Sequence, residues 1–204
     1  MSFLPPPRPA RPAPPPIPAP VLRQDGFRHV NVPQGEYQVS LDPTTMLTTI
    51  LGSCVAACLY DPVAKVGGMN HFLLAHPHGN QILDPVTQQR YGVHAMELLI
   101  NAMLRHGAQR PRLRAHLYGG GNLHSGMQAI GTANGDFARA FLADEGIPLL
   151  AQDLGGKFAR RVEFQPALGR ARSKIVADTP VDRVAAPPPR RVPAPIDDGD
   201  VDLF

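Results

Sequence analysis

Cysteine is scarce in this sequence. There are two, Cys54 and Cys58, four positions apart in one apolar run. That spacing does not favour a disulfide between them, and two are too few for the framework of a small secreted domain. Reduced thiols in a cytosol are expected. No stretch approaches the ~20 apolar residues needed to span a bilayer. The start, MSFLPPPRP, lacks the basic residues and apolar run of a signal peptide. A soluble, cytoplasmic chain without membrane insertion is the expectation.

Charge is thin as well. The net charge is +3, and Arg8, Arg11, Arg190 and Arg191 lie in proline-rich ends. The middle of the chain has no stripe of Lys and Arg interleaved with aromatics, which argues against nucleic-acid binding. Metal motifs are also missing. Eight histidines are present, but there is no H-E-x-x-H or C-x-x-C, and His76-Pro-His78 reads as a solvated turn. Gly119-Gly-Gly-Asn122 is not followed by G-K-[ST], so it reads as backbone geometry rather than a phosphate loop. Neither a metal nor a cofactor is expected.

Proline is the abundant residue. Of 24, ten lie between Pro5 and Pro20, and a second cluster runs from Pro187 to Pro195. Segments such as PPPRPARPAPPPIPAP have little to bury and few donors to pair, so residues 1–24 and 178–204 read as disordered tails. The folded unit is expected at 25–177. The last residues, Asp197-Asp-Gly-Asp-Val-Asp-Leu-Phe204, put acidic groups beside a terminal Leu-Phe. On a flexible tether such a segment can dock into a partner groove, although a solvated end is the plainer reading.

Within the folded unit, Tyr37–Leu41 alternates apolar and polar, predicting a half-buried strand. Strands are also predicted at Met46–Leu51, at Cys54–Tyr60 and, beyond the Asp61-Pro62 turn, at Val66–Leu74. The paired Gly67-Gly68 suggests a bulge or a close backbone approach. Ala95, Leu98, Leu99, Ala102 and Met103 fall at helical spacing, with Gly107 as a stop. A strand follows at Arg112–Tyr118. A second helix is predicted over Phe137–Asp144, with Asp136 as N-cap and Gly146 as C-cap. Strands at Ile147–Asp153 and Arg161–Phe164 complete a layered α+β domain, a mixed and mainly antiparallel β core flanked by at least two helices.

Cys54 follows directly on the break Gly52-Ser53, where a kink can expose a sulfur and aim backbone N–H groups at an oxyanion. Taken alone, a cysteine here is more often a small buried hydrophobe, and Cys58 keeps that reading. His71 is what raises Cys54. If the two strands pair as a hairpin, cross-strand indices sum to 126 or 127. At 127, His71 lies opposite Ala56 and shares a face with Cys54; at 126 they face apart unless the glycine pair bulges. A histidine in reach takes the thiol proton and yields the attacking thiolate. A third group should orient the imidazole, and Thr48 carries a hydroxyl on the preceding strand.

The run Leu51-Gly-Ser-Cys-Val-Ala-Ala-Cys-Leu-Tyr-Asp-Pro62, then Gly67-Gly-Met-Asn-His71, resembles the signature of CheD, the chemoreceptor glutamine deamidase family. Tyr118-Gly-Gly-Gly-Asn122, Ile130-Gly-Thr-Ala-Asn134, Asp153-Leu-Gly-Gly156 and Gly169-Arg170 resemble its later blocks, so the likeness covers the folded unit and leaves out the tails. The resemblance implies a Cys-His-Thr arrangement on Cys54, His71 and Thr48, with Thr49 adjacent to the last. Gly52, Ser53 and Asn70 are the expected pocket. It further implies thioester chemistry on glutamines of methyl-accepting chemotaxis receptors, recruitment to receptor arrays, and the phosphatase CheC as a partner. Methylesterase activity is known in the family and is not assigned here. The rival readings are a noncatalytic array-binding module with the same fold and a general cysteine peptidase.

Overall fold

The computed structural model describes residues 24–74, 85–123 and 128–176. The proline-rich tails, the acidic Leu-Phe end and His76-Pro-His78 lie outside the described residues. In chain order the elements are β1 (Arg28–Asn31), β2 (Tyr37–Ser40), β3 (Thr45–Leu51), β4 (Val55–Asp61), β5 (Val66–Asn70), α1 (Pro85–Arg105), β6 (Arg114–Gly119), α2 (Gln128–Asp144), β7 (Leu149–Leu154), β8 (Arg160–Gln165) and β9 (Arg170–Ile175). They form two sheets, ordered β1-β3-β8-β9 and β2-β5-β4-β6-β7. Among the described residues, only the β1–β3 and β6–β7 pairings are parallel. The expected α+β layering, with mixed and mainly antiparallel strands, is the observed one.

The five-stranded sheet is the middle layer. Its side chains alternate between two cores. Val55, Ala57, Leu59 and Phe72 pack with Met96, Leu99, Ile100 and Met103, which recur at helical spacing along α1, and with Leu142 of α2. Cys54, Ala56, Cys58, Met69 and Tyr118 face the other way, onto Leu47, Leu51, Val162 and Phe164 of the four-stranded sheet. A strand covered on both faces needs no polar phase, which is why β4 reads as the unbroken run Val55-Ala-Ala-Cys-Leu59.

Two helix starts depart from the sequence-based expectation. The first helix begins at Pro85, ten residues before Ala95. Gly92 in that early stretch is pressed against Leu74 and Phe137, where a Cβ would come within 2.6 Å of either side chain, so a glycine there reflects packing rather than a break. The second helix begins at Gln128, so Asp136 is not an N-cap; it lies mid-helix and pairs with Arg139. Of the two readings of Gly67-Gly68, the structure takes the close backbone approach and forms no bulge. A Cβ at Gly67 would stand 2.4 Å from the carbonyl oxygen of Pro166, and one at Gly68 would stand 2.7 Å from that of Gln38. Close backbone approach explains both glycines.

Candidate active site

The β4–β5 hairpin fixes the geometry. Its turn is built on Asp61, whose buried carboxylate accepts the N–H groups of Val63 and Ala64 and meets Arg112 at 2.8 Å. From there the register runs Asp61–Val66, Tyr60–Gly67, Leu59–Gly68 and Cys58–Met69, and it is regained at the bridge Val55–Phe72. Every pair sums to 127. His71 is therefore opposite Ala56, and its side chain shares with Cys54 the face turned toward the four-stranded sheet. The two are diagonal cross-strand neighbours, a separation of about 7–8 Å between backbones that side chains can close.

Backbone bonds hold each residue from the side away from the other. The His71 N–H donates to the carbonyl of Glu36 (3.0 Å), and its own carbonyl accepts from the Gly35 N–H (2.7 Å). On the Cys54 side, the crossing from β3 to β4 is clamped by its carbonyls. Gly52 accepts from the N–H of Gly121 (2.8 Å), Ser53 from Asn134 Nδ2 (2.8 Å), and Cys54 from the N–H of Gly120 (2.7 Å). Gly119 has φ +109, and a Cβ there would lie 2.2 Å from the Cys54 carbonyl oxygen, so this contact requires glycine. Arg160 pins the same loop, donating to the carbonyls of Gly119 (2.6 Å), Asp153 (2.7 Å) and Gly155 (2.6 Å).

The hydroxyl that meets the imidazole belongs to Thr49, not to Thr48. Thr49 Oγ1 lies 2.9 Å from His71 Nδ1 and donates to the Val32 carbonyl at 2.8 Å; Nδ1 is also 3.2 Å from that carbonyl. A hydroxyl has one hydrogen, and Thr49 spends it on Val32. It must then accept from the imidazole, which puts the ring proton on Nδ1 and leaves the lone pair on Nε2. That Nε2 is buried with no hydrogen-bond partner. Thr48 is one residue out of phase and lies on the opposite face of β3, with Met46 and Ile50.

Burial governs the protonation of the pair. The Cys54 thiol is pushed up to about 11 by desolvation, with its own backbone N–H opposing. Desolvation also lowers His71, partly offset by its bond to Val32. The resting state is thus a neutral thiol and, on the same face, a neutral imidazole with a free basic nitrogen. Such a pair can pass the sulfur's proton to Nε2 as the sulfur attacks, without storing a buried ion pair beforehand.

Of the expected pocket residues, Gly52 and Ser53 are partly exposed next to Cys54. Asn70 is not in the pocket. It lies on the helix-facing side, where its Oδ1 accepts the Ala57 N–H (3.0 Å) and its Nδ2 donates to the Ala95 carbonyl (3.2 Å). That position substitutes for a missing rung of the β4–β5 ladder and leaves the amide no freedom to meet a substrate. Cys58 is fully buried in the inter-sheet core, as its sequence context implies. No group of three or more metal-ligating side chains is gathered among the described residues.

Sequence reasoning missed Asn134 and Gln34. Asn134, fully buried on α2, holds both the Ser53 carbonyl and the Leu74 N–H (2.9 Å). Gln34 is exposed, and its Oε1 accepts from the Cys54 thiol across 3.4 Å. Asn134 closes the block Ile130-Gly-Thr-Ala-Asn134 of the family resemblance, but nothing local marks the contact either residue makes, because both act through contacts distant in sequence.

Comparison with known proteins identifies a family. Residues 73–175 match the family model described as CheD chemotactic sensory transduction. A probable chemoreceptor glutamine deamidase CheD of Zymomonas mobilis is 54% identical over 88% of this chain and 94% of its own length. Its namesakes from Caulobacter sp. and Acidiphilium cryptum are 50% and 51% identical over 86% and 88% of the chain and 92% and 95% of their own lengths. Likeness to solved structures is faint, as with Bacillus licheniformis hypothetical protein YfiH: TM-score 0.38 and 16% identity, over 57% of this chain and 49% of that one. At this identity and coverage, the chain belongs to the CheD family.

Proposed function

We propose that this protein deamidates glutamine side chains of methyl-accepting chemotaxis receptors, with Cys54 as nucleophile, His71 as general base and acid, and Thr49 as the residue that orients the imidazole. The observation that carries the reading is the buried, unpartnered Nε2 of His71, held by Thr49 on the face that Cys54 shares. The names of the relatives supply the substrate class.

The thiol proton moves to Nε2 as Sγ attacks the carboxamide carbon. The carbonyls of Gly52 to Cys54 are turned into the clamp described above, so the N–H groups of Ser53 and Cys54 are the donors proposed for the oxyanion. Imidazolium then protonates the leaving nitrogen, ammonia departs, and a thioester remains. His71 next takes a proton from water, which attacks the thioester, and the sulfur leaves and recovers its proton. The sum is glutamine and water giving glutamate and ammonia. Docking on receptor arrays and pairing with CheC belong to the same proposal.

The test is to incubate the full chain with a receptor cytoplasmic fragment and follow Gln-to-Glu conversion by mass spectrometry, with ammonia release as a second readout. Conversion by the wild type and its loss in Cys54→Ala and His71→Ala are expected. If the wild type converts nothing, or Cys54→Ala matches it, the enzymatic reading fails and a noncatalytic array module takes its place. Cleaved backbone instead would identify a peptidase.

A further inference from the structure

The thiol's hydrogen-bond acceptor is a primary carboxamide, the same group that a deamidase attacks. Gln34 Oε1 is 3.4 Å from Cys54 Sγ. The placement comes from the backbone. Pro33 to Glu36 form a turn closed by the Glu36 N–H to the Pro33 carbonyl (3.1 Å), with Gly35 at φ +84. The turn is joined to His71 by the two bonds through Gly35 and Glu36. Residue 34 is thus carried by the same strand pairing that holds His71, and its side chain reaches back over the sulfur.

Two consequences follow from this contact. An attacked carboxamide must bring its carbon to about 3–3.5 Å from the sulfur, and Gln34 already holds that space. Its orientation is also unproductive, because the carbonyl oxygen rather than the carbon faces Sγ, and the thiol hydrogen goes to that oxygen instead of to Nε2 of His71. The exposed side chain has room to swing into solvent while its backbone stays fixed.

We infer that Gln34 is a built-in occupant of the substrate seat: its carboxamide covers and quiets the Cys54 thiol until the carboxamide of a substrate glutamine displaces it. Gln34 is thereby a specificity-determining residue, since an arriving side chain must compete with an amide already in place. This inference rests on the deamidase reading for the nature of the competitor, whereas the shielding of the thiol does not.

The experiment has two arms on the full-length protein. In the first, Cys54 is alkylated with iodoacetamide in the wild type, Gln34→Ala and Gln34→Glu. Cys58 is fully buried, and a Cys54→Ser control accounts for any label it takes. Gln34→Ala should be labelled about fivefold faster, the effect of removing one ordinary hydrogen bond from the resting thiol. Gln34→Glu should be labelled more slowly than the wild type, because a carboxylate opposes the thiolate. In the second arm, conversion of a receptor fragment by Gln34→Ala should show a lower KM with kcat held or raised. Unchanged labelling overturns the inference, as does a loss of kcat without change in labelling, which would make Gln34 a substrate contact. Cys54-dependent conversion of Gln34 itself to Glu also overturns it, because the residue would then be a substrate. If no variant converts the receptor fragment while labelling moves as expected, the deamidase reading fails and the shielding of Cys54 stands.

Discussion

The two faces of the middle sheet differ in what they tolerate. Toward the helices, Val55, Ala57, Leu59, Phe72, Leu99 and Met103 form an aliphatic and aromatic core, and the one polar side chain of β5 on that face, Asn70, is satisfied from both strand and helix. Toward the four-stranded sheet, the same sheet turns Cys54, His71, His116 and Tyr118; His71 meets Thr49, and two imidazole nitrogens, Nε2 of His71 and Nδ1 of His116, are left unpaired. A buried polar atom without a partner costs on the order of 1–3 kcal/mol. The first face meets the demands of stability. The second accepts a penalty at its rim, where a reactive group must remain basic and reachable.

The sharpest way to break this comparison is to exchange the two cysteines' fates. Cys54→Ala should lower deamidation on the order of 10⁴-fold or more while leaving the unfolding midpoint nearly unchanged. Cys58→Ala should retain activity and lose stability instead. Comparable activity loss in both would mean that the inter-sheet face acts as one packed unit rather than as a core with a reactive rim.

Next in size is the helix face. Leu99 is fully buried, and Leu99→Ala should cost about 2–5 kcal/mol in denaturant unfolding. The molecules that remain folded should keep their kcat. A kcat that falls in proportion to stability would show that the middle sheet transmits packing to the site.

The two threonines sharpen the comparison across β3. Thr49→Val keeps the shape and removes the imidazole's partner, so kcat should fall about 10–100-fold with little change in KM. Thr48→Val, on the outer face, should stay within about twofold. The reverse order would return the orienting role to Thr48.

The smallest effect is the pH dependence of stability. His71 has its folded pKa lowered from 6.5, so the unfolded chain takes up the proton first; stability present above pH 6.5 is lost as pH falls below it. Cys54 and Cys58 have raised pKa values, so stability present below pH 9 is lost as pH rises toward 11. Each flank should slope by no more than about 1.4 kcal/mol per pH unit for each group. Cys54→Ala should flatten the alkaline flank of the unfolding midpoint and leave the acid flank alone.

The sequence alone determined the strands β2 through β5, the stop of α1 before Gly107 and the layered α+β class, because alternation, helical spacing and turn residues are local signals. It also supplied the candidacy of Cys54 and His71, through the Gly-Ser break and the hairpin that follows. It left the register open between 126 and 127, because no local residue in a five-residue turn decides that parity. The tertiary structure chose 127 through the Asp61 turn and the ladder beyond it. Thr48 and Thr49 could not be told apart for a related reason. Both phases of β3 carry apolar residues, Met46 and Ile50 on one and Leu47 and Leu51 on the other, so alternation does not say which face is covered. Only packing of one sheet on the other decided it. Asn134 and Gln34 reach the Cys54 segment from 80 residues downstream and 20 residues upstream, through a helix and a turn that come near it only in the folded chain.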